Sequence, residues 1–267
     1  MRNVRAYFLS AFIALFLVGC KTIQTVVVQP NFNEINPTPA KKTDLSDDNF
    51  QIWSHLDITH DSIAGMSLAK AYQFLEGKKS KEVIVAIADS GVDVNHEDLK
   101  DVLWKNTSEV ENNGIDDDGN GYVDDVSGWN AFDNNGDMSY VDLHGTHVAG
   151  ISGAIGNNNK GVAGVCWNAK IMPIAGSSGE ESVVLRSYGY IYDMKKLYDE
   201  TDGEKGALIV ATNSSFGVDQ AFEGDFPLWC AFYDSLGSIG ILNSVAVPNN
   251  NVNIDAVGDI PGTAPPI

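Results

Sequence analysis

A continuous run of apolar residues at positions 83–88, with the sequence VIVAIA, is the feature that most constrains the fold of this chain. Such a run is typical of a strand that is buried on both faces of a parallel sheet. Similar short runs recur at 170–175, 207–211 and 239–247. Helical patterns accompany them at 66–75, 146–154, 182–198 and 228–236. This alternation predicts an α/β fold of three layers, with a mostly parallel central sheet and helices on both faces.

The composition is that of a packed, acidic protein. The 267 residues are 43% hydrophobic and 20% charged, which is enough apolar material for a core. Asp and Glu number 36 against 17 Lys and Arg, so the net charge is −19. Binding to nucleic-acid phosphates requires clustered basic residues, and we therefore expect no nucleic-acid partner. Three cysteines cannot form a disulfide framework, so stability must come from burial and from any bound ions.

Residues 1–20 have the organisation of an export signal. Arg2 and Arg5 give a positive start, residues 6–18 are almost entirely apolar, and Cys20 follows the tripeptide LVG. The apolar run is too short to span a bilayer, as is typical of a signal peptide. Small and aliphatic residues directly before a cysteine resemble the bacterial lipobox, in which cleavage leaves the cysteine acylated at the new N-terminus. The alternative is an ordinary signal peptide with an incidental cysteine.

The lipobox predicts an extracytoplasmic protein of the bacterial cell envelope, on the outer membrane or the cell surface. Acyl chains on Cys20 would attach it to the membrane without spanning it. Residues 21–49 contain three prolines and several asparagines with little periodic hydrophobicity, which predicts a flexible tether. We expect the folded part over residues 50–267, and the sequence leaves the oligomeric state open.

Two polar motifs lie at the end of the first predicted strand and at the start of a predicted helix. Asp89 follows the apolar run in DSGVD, and a carboxylate in that place is costly unless it is paired. Taken alone, a turn or N-cap aspartate is the commoner explanation. His144 opens HGTHVAG, in which the HxxH spacing lacks the i, i+4 pair and the intervening Glu of zinc proteases. We therefore expect no metal at His144.

Together, DSGVD and HGTHVAG resemble the subtilisin-like serine proteases (subtilases), and they occur in that family's order. The resemblance covers about residues 50–267 and implies a subtilisin-like fold. It also implies a serine endopeptidase that hydrolyses peptide bonds of protein or peptide substrates through a Ser-His-Asp triad. In that reaction Asp89 would orient His144, which would take the proton from the serine and return it to the leaving amine. His147 receives a structural role.

Other segments resemble the substrate cleft of the family. The walls that would pair with the substrate main chain are Ser177, Ser178 and Gly179 on one side, and Ser215, Phe216 and Gly217 on the other. For each wall, a plain Gly/Ser turn is the alternative. Asn249 stands where subtilases carry an amide that donates to the developing oxyanion, although Val-Pro-Asn replaces the usual Ala-Gly-Asn. A shift of this role by one residue stays open.

The segment 106–142 is an acidic insertion with ten Asp and Glu and no Lys or Arg. Its stretch DDDGNGYVDD matches the beginning of a calcium loop, with oxygens at positions 1, 3, 5, 7 and 9 and Gly at position 6. The predicted ligands are Asp116, Asp118, Asn120, the carbonyl of Tyr122, and Asp124. Position 12 is Ser127 instead of Glu, and no helix pair brackets the loop. A structural calcium loop is therefore favoured over an EF-hand switch, and a solvated acidic loop is the alternative.

A subtilase also needs a serine in a Gly-Thr-Ser-Met-Ala type motif after the oxyanion asparagine. Only GTAP, at residues 262–265, comes close, and it has no hydroxyl at the decisive position. We therefore expect a catalytic domain that is incomplete at its C-terminus, with the serine outside this chain. The alternative is a non-catalytic lipoprotein that binds peptides or calcium. Cys166 and Cys230 are expected to be free, buried thiols, with a disulfide as the alternative.

Overall fold

The computed structural model describes residues 52–156, 158–166 and 168–262. The predicted signal peptide, Cys20 and the tether lie outside these residues. The chain divides into two compact units, Met1–Gln73 and Phe74–Ile267. Within the described ranges, no helix has both the length and the apolar character that crossing a membrane requires.

A five-stranded parallel sheet forms the centre of the second unit. In chain order its strands are β1 (Val83–Asp89), β2 (Trp129–Asn130), β3 (Ala169–Ala175), β4 (Ile209–Ser214) and β6 (Leu242–Val245). Their order across the sheet is β2-β3-β1-β4-β6, which places β1 in the middle. All four pairings are parallel, so the carboxyl ends of these strands share one edge. A separate ribbon pairs β5 (Val218–Asp219) with β7 (Asp259–Ile260) in antiparallel fashion.

The described α-helices are α1 (Leu68–Leu75), α2 (Leu143–Gly153), α3 (Glu181–Glu200), α4 (Pro227–Ser238) and α5 (Ile254–Val257). Short 3-10 turns occupy Trp53–His55 and Glu223–Asp225. Helix α2 packs against β1 and β3, whereas α3 contacts β2 and β4 and α4 contacts β6. The predicted α/β fold with a mostly parallel sheet is confirmed.

Alternating side chains of β1 separate two apolar clusters on opposite faces of the sheet. Ile84, Ala86 and Ala88 join the cluster that includes α3 and α4. Ile87 joins a smaller cluster with Ala149 of α2. The whole strand is apolar because both faces are covered, which is why residues 83–88 show no polar alternation.

Several boundaries differ from the predicted ones for local reasons. Helix α2 begins at Leu143, three residues before the predicted start, because Asp142 caps it. Helix α1 begins at Leu68 because Ser67 has a left-handed backbone with φ of 59° and cannot belong to the helix. Strand β4 runs from Ile209 to Ser214 and not over 207–211. The polar residues at its end, Thr212, Asn213 and Ser214, are therefore part of the sheet.

In the first unit, Asp57 organises the turn before α1. Its carboxylate accepts hydrogen bonds from the amides of Thr59 (2.9 Å) and His60 (2.8 Å) and from the Ser67 hydroxyl (2.5 Å). Lys70 Nζ lies 2.8 Å from the same carboxylate. In the second unit, Cys166 and Cys230 are free thiols, as expected. Cys230 is buried, whereas Cys166 is exposed, so the expected burial is wrong for Cys166.

Candidate active site

Asp89 is the last residue of the central strand β1, and its side chain is 1% exposed. Its Oδ1 accepts hydrogen bonds from the amide (2.7 Å) and hydroxyl (3.0 Å) of Ser90. The same oxygen lies 2.8 Å from Nδ1 of His144, 55 positions further along the chain. Among the described residues, Oδ2 is buried and has no hydrogen-bond partner. A buried carboxylate needs such partners, and Asp89 finds them at the carboxyl edge of the sheet.

His144 is the second residue of α2, and Asp142 fixes the beginning of that helix. Oδ1 of Asp142 accepts the hydrogen bond of the His144 amide at 2.7 Å, which is N-cap geometry. Hydrogen bonds from Ser90 and from this amide hold the pKa of the Asp142 carboxyl below its ordinary value. The His144 side chain is 59% exposed. Because Nδ1 faces Asp89, Nε2 is the ring nitrogen that can serve a third group.

Two glycines allow the helix start to approach the end of β1. A Cβ built on Gly145 would lie 2.2 Å from the carbonyl oxygen of Gly91 and 3.1 Å from Oδ1 of Asp89. No side chain fits at those distances. Glycine is therefore required on steric grounds at the position that follows His144 in HGTHVAG.

The predicted wall at 177–179 is tied directly to Asp89. The amides of Gly176 and Ser177 both donate to the Asp89 carbonyl oxygen, at 2.8 Å and 3.0 Å. Ser178 Oγ accepts the amide of Glu180 at 2.9 Å, and a Cβ on Gly179 would meet no atom within 4 Å. The structure thus brings Ser177 to the same strand end as Asp89.

The predicted wall at 215–217 follows β4, which neighbours β1 in the sheet. Ser215 Oγ donates to Oδ1 of Asn213 at 2.9 Å. The Phe216 ring lies 5.8 Å from that of Trp229, and a Cβ on Gly217 would be 2.4 Å from the Ile260 carbonyl oxygen. Phe216 therefore packs partly against the core, whereas Gly217 contacts the β5–β7 ribbon.

Asn249 is exposed and lies four residues after β6 ends at Val245. In the described part of the chain, no hydrogen bond joins its side chain to Asp89 or His144. The structure places it after a strand of the same sheet, as expected, and its oxyanion role stays a prediction.

Three carboxylates of the acidic segment converge. One oxygen each of Glu109, Asp116 and Asp118 lies within 4.8 Å of the others. Glu109 is buried, and its Oε1 accepts the amides of Asp117 (2.8 Å) and Asp118 (3.1 Å). The calcium-loop pattern does not include Glu109, because this residue lies seven positions before Asp116. No local sequence pattern marks Glu109, because its place in the cluster depends on how the acidic segment folds.

The remaining predicted ligands have other contacts. Asp124 accepts the amides of Asn113 and Gly114, each at 3.0 Å, so its carboxylate closes a different turn. Asn120 Nδ2 donates to Oδ2 of Asp125 at 3.1 Å. The Tyr122 hydroxyl donates to Asp193 at 2.7 Å, and the predicted ligand of this residue is its carbonyl oxygen.

Asp125 lies fully buried behind this loop. It accepts hydrogen bonds from Asn106 Nδ2 (2.9 Å) and from the Tyr190 hydroxyl (2.8 Å), in addition to the one from Asn120. Burial raises the pKa of its carboxyl to about 6, against the opposing effect of these hydrogen bonds. Asp125 therefore anchors the acidic segment to α3 of the core.

Comparisons with known proteins agree with this geometry. Residues 80–264 match the family described as Subtilase family, Peptidase_S8, which is more than half of the chain. The chain is 41% identical over 137 residues to subtilisin-like protease 1 of Plasmodium falciparum (isolate 3D7), covering 51% of this chain and 19% of that protein. It is 27% identical over 219 residues to the major intracellular serine protease of Bacillus subtilis (strain 168), covering 72% and 63%.

A solved structure shares the fold. A protease from Pseudoalteromonas arctica PAMC 21717 matches with a TM-score of 0.52 and 21% identity, over 85% of this chain and 63% of that one. The chain spans about a fifth of the length of the Plasmodium relatives that it matches at 41% identity. One conclusion follows from the parallel sheet, the Asp89–His144 pair and the family match over residues 80–264. The chain belongs to the subtilase family.

Proposed function

We propose that this chain forms the Asp-His part of a serine endopeptidase active site. The observation that carries the proposal is the 2.8 Å contact between Asp89 Oδ1 and His144 Nδ1. Asp89 is buried and therefore holds the imidazole in one orientation and stabilises the cation that forms when His144 accepts a proton. Because the His144 ring is largely exposed, its Nε2 can take the proton of a nucleophile and pass it to the leaving amine.

The proposal needs a serine nucleophile. The sequence contains no serine after Asn249, so we place the nucleophile in a segment outside these 267 residues. A tetrahedral intermediate would carry an oxyanion, and Asn249 is the proposed side-chain donor to it.

The proposed substrate is an extended peptide that pairs with main-chain groups of the two walls. Ser177 is tied to the Asp89 carbonyl oxygen, and Ser215 follows the strand next to β1. A peptide between them would add a strand along the carboxyl edge of the sheet and bring its scissile carbonyl to His144.

We also propose that the acidic segment holds a structural calcium ion. Calcium takes oxygen ligands at about 2.4 Å, so two ligands of one ion are at most about 4.8 Å apart. Oxygens of Glu109, Asp116 and Asp118 meet that limit. Three carboxylates without a neutralising cation would repel one another, and an ion would supply that charge. The carbonyl of Tyr122 and the side chain of Asn120 are the further proposed ligands.

The proposed location is the bacterial cell envelope, with Cys20 acylated and the catalytic part outside the cytoplasm. This part of the proposal depends on the sequence LVGC and on the tether that follows it. Radiolabelled palmitate incorporation into the wild type, but not into Cys20→Ser, tests it directly.

The decisive experiment reads the coding DNA beyond codon 267 and expresses the extended protein. We expect the extended protein to hydrolyse casein and to lose this activity on treatment with a serine-directed phosphonate. The 267-residue chain alone should not hydrolyse casein. His144→Ala should lower kcat/KM by at least about 10³-fold. His147→Ala, which alters an exposed histidine one turn away, is the matched control and should retain activity. An extended protein that is inactive, or equal losses in both variants, would contradict the proposal.

A further inference from the structure

A pocket of about 420 Å³ opens next to Asp89, and neither the triad nor the calcium proposal uses it. The residues that line it are Ser90, Asn130, Phe132, Asp133, Tyr140 and Ser177. Ser90 follows Asp89 directly and donates to its carboxylate, while the Ser177 amide donates to its carbonyl oxygen. The pocket therefore lies beside Asp89 and is lined by the first residue of the proposed 177–179 wall.

The pocket has aromatic walls that are open to solvent. Phe132 is 39% exposed and Tyr140 is 57% exposed, although rings of this size normally gain by burial. Most of the accessible lining is therefore apolar. Such a surface is suited to the methylene stem of a long side chain and to a cation above a ring face.

A single carboxylate, that of Asp133, gives the pocket its charge. No Lys, Arg or His is among the described residues that line it. Asn130 Nδ2 donates to Oδ2 of Asp133 at 3.1 Å, and Asn130 Oδ1 accepts the amides of Phe132 and Asp133, each at 3.1 Å. Asn130 is buried at the end of β2, so it fixes ring and carboxylate to the sheet.

The nearest described guanidinium, that of Arg186, is already engaged with the main chain. Its Nε donates to the Ala131 carbonyl oxygen at 2.8 Å, and its Nη2 donates to the Phe132 carbonyl oxygen at 3.5 Å. These bonds hold the segment that carries Phe132 and Asp133. Among the described residues no ion pair involves Asp133, so its charge is available to a ligand.

We propose that this pocket receives a lysine or arginine side chain of the peptide substrate. The stem would lie on Phe132 and Tyr140, and the cationic head would reach Asp133. The strongly acidic net charge of −19 would draw such basic peptides to the protein. This inference rests on the proposed function, because the pocket is useful to a peptide only beside a cleft.

The test uses two small probes and the 267-residue chain. n-Butylguanidinium carries the arginine head and stem, and n-butylurea is its neutral isostere. We expect NMR titration to move the amide signals of Phe132 and Asp133 and to give at least fivefold tighter binding for butylguanidinium. Asp133→Asn should abolish that preference. Phe132→Leu should weaken the binding of butylguanidinium more than the binding of butylurea. Asp137→Asn neutralises an exposed carboxylate of the same loop that does not line the pocket, and it should leave the preference intact.

Equal affinity for the two probes, binding of neither, or a preference that survives Asp133→Asn would overturn the inference. In an active extended protein, peptides with lysine should be cleaved with at least tenfold higher kcat/KM than matched norleucine peptides at one position of a substrate scan. Probe binding requires neither His144 nor a nucleophile. An inactive extended protein that still prefers butylguanidinium would therefore contradict the proposed function alone, and active protein without the preference would contradict only this inference.

Discussion

Gly145 lies so close to Gly91 that a Cβ added to it would be 2.2 Å from the Gly91 carbonyl oxygen. Gly91 is in the turn after β1, and Gly145 is in the first turn of α2. The contact therefore joins the strand that carries Asp89 to the helix that carries His144. The Asp89 and His144 side chains can lie 2.8 Å apart because the main-chain segments that carry them come this close together.

Replacing Gly145 with alanine should force the two segments apart. We expect Gly145→Ala to lower the free energy of unfolding by about 1–3 kcal/mol, because the methyl group overpacks a contact with backbone atoms. Gly189→Ala is the matched control, since a Cβ there meets nothing within 4 Å in the middle of α3. That change should stabilise by about 0.5–1 kcal/mol through helix propensity. Urea unfolding of both variants measures the difference, and equal effects would contradict the steric argument.

The contribution of Asp142 to stability as an N-cap should be measurable separately from the contribution of its charge. Asp142→Ala removes the acceptor of the His144 amide and should cost about 1 kcal/mol of stability. Asp142→Asn retains an acceptor oxygen and should cost much less. Amide hydrogen exchange at His144 should rise in the alanine variant only. Exchange that rises equally in both would show that the charge of Asp142, and not its capping oxygen, holds the start of the helix.

Calcium should stabilise the acidic segment against heat. Binding at a free concentration of 100 times Kd adds about 2.7 kcal/mol to the folded state. A chelator should therefore lower the melting temperature, and added calcium should restore it. Glu109→Gln removes one of the three converging charges and should weaken calcium binding on the order of tenfold. Asp137→Asn, outside the cluster, is the control. A melting temperature that is insensitive to chelator would contradict the calcium proposal.

Acid should loosen the turn that Asp57 organises. Hydrogen bonds from Lys70, Ser67 and Thr59 hold the pKa of the Asp57 carboxyl well below its ordinary value. The folded state therefore favours the ionised form, and its contribution is fully present above the ordinary pKa of about 4 and is lost as the pH falls below it. We expect the amides of Thr59 and His60 to lose protection from hydrogen exchange at low pH. In Asp57→Asn, protection should already be reduced at neutral pH, whereas a pH profile identical to that of the wild type would contradict this account.

Patterns local in the sequence predicted the sheet and the location of its polar residues. The apolar run at 83–88 became β1, and the rule that parallel strands end at one edge placed Asp89 and Ser177 together. The family resemblance added the partner, His144, which no periodicity could supply. The cap at Asp142 also has a sequence pattern, because an aspartate directly before a helical segment is a preferred N-cap residue.

Contacts between distant residues could not be predicted in this way. Glu109 joins Asp116 and Asp118 only because the main chain of the acidic segment folds back on itself. The loop pattern assigned Asp124 to the ion, yet its carboxylate accepts two amides of the 113–114 turn. The pattern fixes the spacing of oxygens along the chain but does not determine which competing donors each oxygen will meet.

The acidic segment 106–142 contributes β2 to the edge of the sheet and ends at Asp142, the residue that caps α2. Its last residue therefore helps to hold His144 opposite Asp89, because the Asp142 carboxylate accepts the His144 amide. Disordering of this segment should therefore reach His144 through the start of the helix, so that thermal tolerance and the geometry of the site change together.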